Sequence, residues 1–181
     1  ARIRQQMQVV FVDGYKGIRT GIQEHDDDFL IFDVDNDLRE SMDLSGTNDY
    51  FTKLQQRMKD RVLQIRRPNE SAPRPYDAAP IPGIETDRNP QRLGWKVYQG
   101  PFSWVPQTFG LEEVESGTST KVDVSKLDIE AGGAAEFKGL LTIESPGDYL
   151  FKVDSDGGAL LRLHDAVVVD NESVIDGKRA T

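Results

Sequence analysis

The stretch GDYLFKVDSDGGALLRLHDAVVVDN, residues 147–171, decides how the second half of this chain folds. Two strand-forming runs flank the polar cluster Asp154-Ser155-Asp156-Gly157-Gly158. Aromatic and branched residues suit a pleated, half-buried surface, and Asp with Gly between such runs marks a turn. Tyr149, Phe151, Leu161 and Leu163 then read as core, alternating inward along two strands. The cluster between them is either a hairpin turn or a place where carboxylates meet a cation or a sugar.

Working outward, the region from Leu93 shows no helical period. GWKVYQG, STKVDVS, AAEFKGLLTIES, ALLRLHD and AVVVDN recur as short β-prone runs separated by Gly, Pro and Asp. That spacing predicts an all-β sandwich or barrel. SPGD at 145–148 is a tight turn with proline at its second position.

Toward the amino terminus the chain changes character. Residues 68–92 hold six prolines in 25 positions. Proline lacks a backbone donor and locks φ, so this segment predicts a semi-rigid connector rather than helix or sheet interior. Before it, Phe51, Leu54, Met58, Val62 and Ile65 are spaced three, four, four and three, one face of a helix. Thr47 or Asn48 can cap its start, and Asp49 suits the positive end. Arg61, Arg66 and Arg67 suit the carboxyl end, and Pro68 stops it. QQMQVVFV at 5–12 is β-prone; GYKGIRTG, the acidic EHDDD and FLIFDV follow, and the apolar residues on both sides of the polar connection read as an antiparallel pair, with Asp26-Asp27-Asp28 a solvated turn. The opening ARIRQQMQVVFV reads as a strand already under way, as in a piece of something longer. The expected class is therefore α+β: a small antiparallel sheet with one amphipathic helix over 1–67, a linker over 68–92, and an all-β domain over 93–181.

Bulk properties exclude several functions. Net charge is −9 and the chain has no cysteine. A nucleic-acid partner needs a basic face, and anionic lipid repels an acidic protein. Disulfides, zinc–thiolate sites and thiol nucleophiles are absent with the thiols. No apolar run approaches the ~18 residues of a membrane helix.

Few motifs point to chemistry. Asp33, Asp35 and Asp37 have the one-three-five spacing of an EF-hand loop, but Leu38 and Leu44 stand where it needs glycine and glutamate. Asp154 and Asp156 are the other candidate metal pair, and they too lack the fifth-position acid and closing glutamate. Both stretches read as turns held by side-chain-to-backbone hydrogen bonds. His25 and His164 lie far apart, with no third ligand at helical spacing. No nucleophile elbow, P-loop or dinucleotide-binding glycine pattern occurs. On its residues alone the chain carries no complete active site and no catalytic residue.

Two resemblances sharpen this reading. Residues 14–67 resemble the carboxyl-terminal subdomain of formylglycine-dependent sulfatases. The resemblance rests on GYKGIRTG and on Ile31-Phe32-Asp33-Val34 with Asp37, Glu40 and Leu44. Leu38 replaces the family's usual proline and Asp43 its usual asparagine. LQIRRPN and SAPRPYD fit the same pattern. In that family the upstream catalytic domain supplies calcium ligands and a Cys/Ser-x-Pro-x-Arg signature that matures to formylglycine. Neither lies in this chain, so the resemblance implies a sulfatase end without its catalytic body, from a secreted or periplasmic hydrolase of sulfated polysaccharide. Asp33 and Glu40 are expected to satisfy backbone donors in the turn before the helix.

Residues 93–181 resemble a protective-antigen-type β-sandwich domain. GWKVYQGPFSWVPQT resembles its start. Gly139, Leu141, Gly147, Tyr149, Phe151, Asp156, Gly158, Leu161, Leu163, Val168, Asp170 and Asn171 fall in register with its core phrase. In sugar-binding members paired aspartates hold calcium, which holds sugar hydroxyls. Here Gly157 takes the second aspartate's place, His164 that of the next turn aspartate, and Asp165 that of a glycine. The resemblance implies a carbohydrate site at Asp156, His164, Asp165, Asp170 and Asn171, with calcium at Asp154 and Asp156. The family continues with strands beyond ESVIDGKRAT, so an open strand edge offers a route to homo-oligomers. Three functions follow: the end of a sulfatase, a carbohydrate-binding module, or a structural domain.

Overall fold

The computed structural model describes residues 6–67, 71–87 and 92–171. By proximity along the backbone these fall into two units. One runs to Gly83 and takes in Arg162–Ala166; the other comprises Ile84–Leu161 and the residues from Val167 on. The class is α+β, with small antiparallel sheets, one helix and a β-rich carboxyl-terminal part.

In the first unit, β1 (Met7–Val12), β2 (Tyr15–Thr20) and β3 (Leu30–Phe32) form an antiparallel sheet in that order. Asp13-Gly14 joins β1 to β2, with φ of 53° and 84°. Two positive φ values in a two-residue loop match the twist of paired strands, and Gly accepts one without strain. Arg57 forks onto both oxygens of Asp13, closing the turn onto the helix.

That helix, α1 (Asp49–Ile65), starts at Asn48, whose side chain accepts from Tyr50 N and Phe51 N. Phe51, Leu54, Met58 and Val62 are buried with Val10, Phe29 and Ile31 from the sheet. Burying each such side chain contributes roughly 1.5–3 kcal/mol. The stripe departs from expectation at its end: Ile65 is 40% exposed, while Leu63 is buried with Ile22, Tyr76 and Ala79. Its last turn meets this second cluster, so the buried face rotates toward residue 63. Tyr76 and Ala79 bring part of the proline-rich segment into that cluster. Arg66 donates to Leu63 O at 2.9 Å, capping a terminal carbonyl, and also bonds Ala79 O. Arg61 is spent differently, on Asp165 at 2.5 Å.

Two contacts seat α1. A Cβ on Gly17 would come within 2.7 Å of Met58 Sδ and within 3.1 and 3.2 Å of Val10 and Phe29. Gln55 accepts from Phe29 N and donates to Phe29 O, both at 2.9 Å, standing in for a neighbouring strand. On the sheet's other face Met7, Val9, Phe11 and Leu30 are exposed, while Phe32, which pairs with Lys16 on the same face, is buried. Val9 pairs with Ile18 and Ile18 with Leu30, placing these residues on one surface.

In the second unit, β4 (Leu93–Tyr98) is central, between β5 (Glu115–Ser119) and β6 (Ala134–Lys138). β5 lies earlier than the expected STKVDVS run. Gly117 faces Trp95, whose ring would meet an added Cβ at 2.6 Å, so glycine admits the ring. Val124–Lys126 instead makes a short 3-10 turn capped by Asp123.

β7 (Ala159–Leu163) and β8 (Ala166–Asn171) form a hairpin. Its turn is His164-Asp165, with His164 at φ 53°. Here the expectation fails. Residues 139–158 contain no strand, so the Asp154–Gly158 cluster does not join two strands. Tyr149 is 51% and Leu150 99% exposed, and Phe151, Leu161 and Leu163 are only half-buried. Alternation favours an extended backbone, but a strand needs a hydrogen-bonding neighbour, and no described residues pair with this run. Tyr149 Oη instead donates to Ser145 O at 2.6 Å. The open edge expected after Asn171 falls on 172–181, outside the described residues.

The Gly17 contact gives a direct test. Gly17→Ala must push Met58 or Val10 out of a closed core, so urea unfolding is expected to show a loss of about 1–3 kcal/mol. Gly17→Ala combined with Met58→Ala should cost less than the sum of the two single changes, because the second change removes the obstructing sulfur and the added methyl fills part of the cavity it leaves.

Candidate functional site

The acidic phrase before α1 is a self-satisfied turn. Asp33 accepts from Asn36 N at 3.1 Å and from Asn36 Nδ2 at 2.9 Å. Asp37 accepts from Ser41 N at 2.7 Å, Met42 N at 2.9 Å and Ser41 Oγ at 3.0 Å. These bonds, with Met42 N foremost, hold the Asp37 carboxyl below its ordinary value. Asp43 accepts from Ile31 N at 3.0 Å, Ser45 N at 2.9 Å and Ser45 Oγ at 2.8 Å. Burial opposes its ionisation, but the three donors outweigh burial and its carboxyl also titrates below the usual value. Glu40 departs from expectation. It accepts from Lys16 Nζ at 2.6 Å, across the turn, rather than from backbone donors.

Arg19 is the one buried charged side chain among the described residues. It donates to Gln8 Oε1 at 2.7 Å, His25 O at 3.0 Å and Asp27 O at 2.5 Å, and lies 4.4 Å over the Phe29 ring. Burial lowers its pKa from the ordinary value, and Asp27 works against that. Asp27 in turn accepts from Gln23 N and Glu24 N, which hold its carboxyl low. Asp28 pairs with Lys59. An open cleft of about 310 Å³ runs past Arg19, Asp27 and Asp28. Each of the three makes bonds within the fold, while Arg19 Nη2 is buried without a partner. Composition hints at neither Arg19 nor Gln55; both act through contacts made only on folding.

The candidate carbohydrate residues separate into two groups. Asp154 and Asp156 lie exposed in the segment before β7, where Ser155 Oγ donates to Gly157 O at 2.7 Å. Asp170 and Asn171 end β8. A two-residue connection makes the hairpin antiparallel, so Asp156, Asp170 and Asn171 lie toward its open end. His164 and Asp165 form its turn, about five residues or ~16 Å away. Asp165 is bonded to Arg61. Among the described residues, no three His, Asp or Glu side chains group so as to hold a metal ion. Asp154 and Asp156 are the carboxylates that would hold a calcium ion there, and Gly157 between them and β7 supplies none.

A family model for the PA14 domain, a β-rich domain related to anthrax protective antigen, matches residues 121–180. The match covers the later part of the expected 93–181 region. No curated protein and no solved structure matches the chain. No described helix is long and apolar enough to cross a membrane.

Asp43 supplies a pH-dependent prediction. Its folded pKa lies below that of an unfolded aspartate, ~3.9. Its stabilisation is thus present above about pH 4 and is lost as pH falls through the lower folded value. Asp43→Ala should cost about 1–2 kcal/mol at pH 7, because it orphans the buried Ile31 N–H. Asp43→Asn should cost less at pH 7, and the difference from the parent should shrink at pH 2–3 in urea titrations.

Proposed function

We propose that this chain is a non-catalytic region of a sulfatase-type hydrolase of sulfated carbohydrate. The first unit, to Gly83, caps the catalytic domain, the residues after it link, and 93–181 form an accessory β-domain. The observation that carries this reading is the exposure of Met7, Val9, Phe11 and Leu30 on the sheet face opposite α1. A sheet backed by a helix on one face and apolar on the other lacks a layer. The sulfatase resemblance supplies that layer as an upstream catalytic domain. The acidic turn agrees with a scaffolding role, since Asp33, Asp37, Glu40 and Asp43 are all engaged within the unit. Calcium and formylglycine would belong to the catalytic domain. The Cys/Ser-x-Pro-x-Arg signature is absent from this sequence, so no catalytic step passes through these residues. The parent would be secreted or periplasmic.

A second reading concerns the β-rich part alone. PA14 domains are often carbohydrate-binding or accessory modules. Residues 121–180 would then tether the parent to polysaccharide, with self-association through a strand edge as the structural alternative.

The reading of sequence upstream of Ala1 tests the first proposal. A Cys/Ser-x-Pro-x-Arg signature is expected, and the longer protein should hydrolyse an aryl sulfate. Phe11→Asp should leave the melting temperature of the 181-residue chain within about 2 °C, because the ring is exposed. In the longer protein it should lower the melting temperature and the activity together. Absence of the signature, or indifference of the longer protein to Phe11→Asp, would overturn the assignment.

A further inference from the structure

Asp-Gly occurs in the sequence at 13–14, 156–157 and 176–177, the last outside the described residues. In this dipeptide an aspartyl carboxyl most easily meets the next backbone nitrogen, because glycine has no Cβ to crowd the approach. The two groups can join only where the carboxyl is free to swing and the backbone free to turn into an attacking geometry. The two described pairs differ in both respects.

Asp13-Gly14 is locked. Arg57 forks onto both oxygens of Asp13, and Val12 pairs with Tyr15 across the turn. A charge-assisted fork of this kind holds a carboxylate in one orientation. Asp156-Gly157 is open. Both residues are exposed, in a bend ahead of β7 and outside any strand ladder. Among the described residues nothing donates to the Asp156 carboxylate, and Gly157 N finds no acceptor. The bond from Ser155 Oγ to Gly157 O, at 2.7 Å, engages a carbonyl and leaves both reacting groups untouched. A Cβ built on Gly157 would meet no atom within 4 Å, so the space around the pair is clear.

We infer that Asp156-Gly157 is a site of self-modification, where aspartate converts to isoaspartate through a cyclic imide, while Asp13 in the same dipeptide is protected by the fold. Gly157 N attacks Cγ of the protonated Asp156 carboxyl. An N–Cγ bond forms and a Cγ–O bond breaks. The departing oxygen leaves as water, taking the carboxyl proton and the amide proton. Water then adds to one of the two ring carbonyls. Opening at Cγ restores aspartate; opening at the α-carbonyl leaves the chain running through Cβ and Cγ. No oxidant or reductant takes part, and the mass is unchanged. The product has one more carbon in its main chain and a carboxylate directly on Cα. The insertion precedes Ala159, where β7 begins, so the β7–β8 pairing is expected to survive it. The inference goes beyond the sulfatase assignment and holds with or without it.

Ageing of the whole 181-residue chain in warm neutral buffer tests it. Trypsin releases peptide 5–16 with Asp13 and peptide 153–162 with Asp156, and chromatography separates each isoaspartyl form from its parent of equal mass. In the folded protein, isoaspartate should accumulate at least tenfold faster in 153–162 than in 5–16. In urea that gap should close, since unfolding releases Asp13 from Arg57. Electron-transfer fragmentation should place the isomer at Asp156 and not at Asp154. Gly157→Ala should slow the reaction at least fivefold while keeping the parent circular dichroism spectrum, because its Cβ enters open space. The inference is overturned by equal rates in the two peptides of the folded protein, or by a gap that persists in urea. An isomer confined to Asp154, or a Gly157→Ala chain that ages like the parent, overturns it equally.

Discussion

The first unit depends on how closely α1 can approach β2 at Gly17. With no side chain there, Met58 seats directly over the strand and draws Val10 and Phe29 around it. Gln55 then fastens the helix to the backbone of Phe29 from both sides. Depth and register are thus set by two different forces. Apolar burial brings the helix down, and a paired amide fixes where along β3 it rests. Without the first the second would have to span a gap; without the second the helix could slide along an apolar surface.

Charge in this unit serves architecture. Asp13 closes the β1–β2 turn onto Arg57, Asp28 meets Lys59, and Glu40 meets Lys16. Exposed pairs of this kind are individually weak, typically about 0–1 kcal/mol. Their value is positional, because each ties a turn to an element that packing has already placed. Asp37 and Asp43 act more strongly on the backbone. They collect N–H groups that would otherwise lack partners where the chain leaves the sheet for the helix. That explains why a chain so rich in acidic residues presents no cluster ready to act as acid, base or metal cradle among the described residues.

The second unit is organised differently. Among the described residues its strongly buried side chains centre on Val97 and Tyr98 of β4, with few others. Much of its aromatic and aliphatic surface stays in water, including Trp104, Phe109 and Leu150.

The sequence by itself determined the α+β class, antiparallel pairing in the amino-terminal part, and helix α1 with its apolar stripe; that Tyr15–Thr20 forms the middle strand of three was decided on folding. It also placed the β-rich half after the proline-rich segment. Those features follow from local patterns: period, cap residues and turn chemistry, which act within a few residues. Tertiary structure alone decided that Leu63 and not Ile65 is buried, that Glu40 reaches Lys16, and that 147–158 lacks a strand. It also separated His164 and Asp165 from Asp170 and Asn171. Each of these depends on which distant segment supplies a partner. A strand without a neighbour, or a carboxylate within reach of a lysine 24 residues away, is invisible to any local rule.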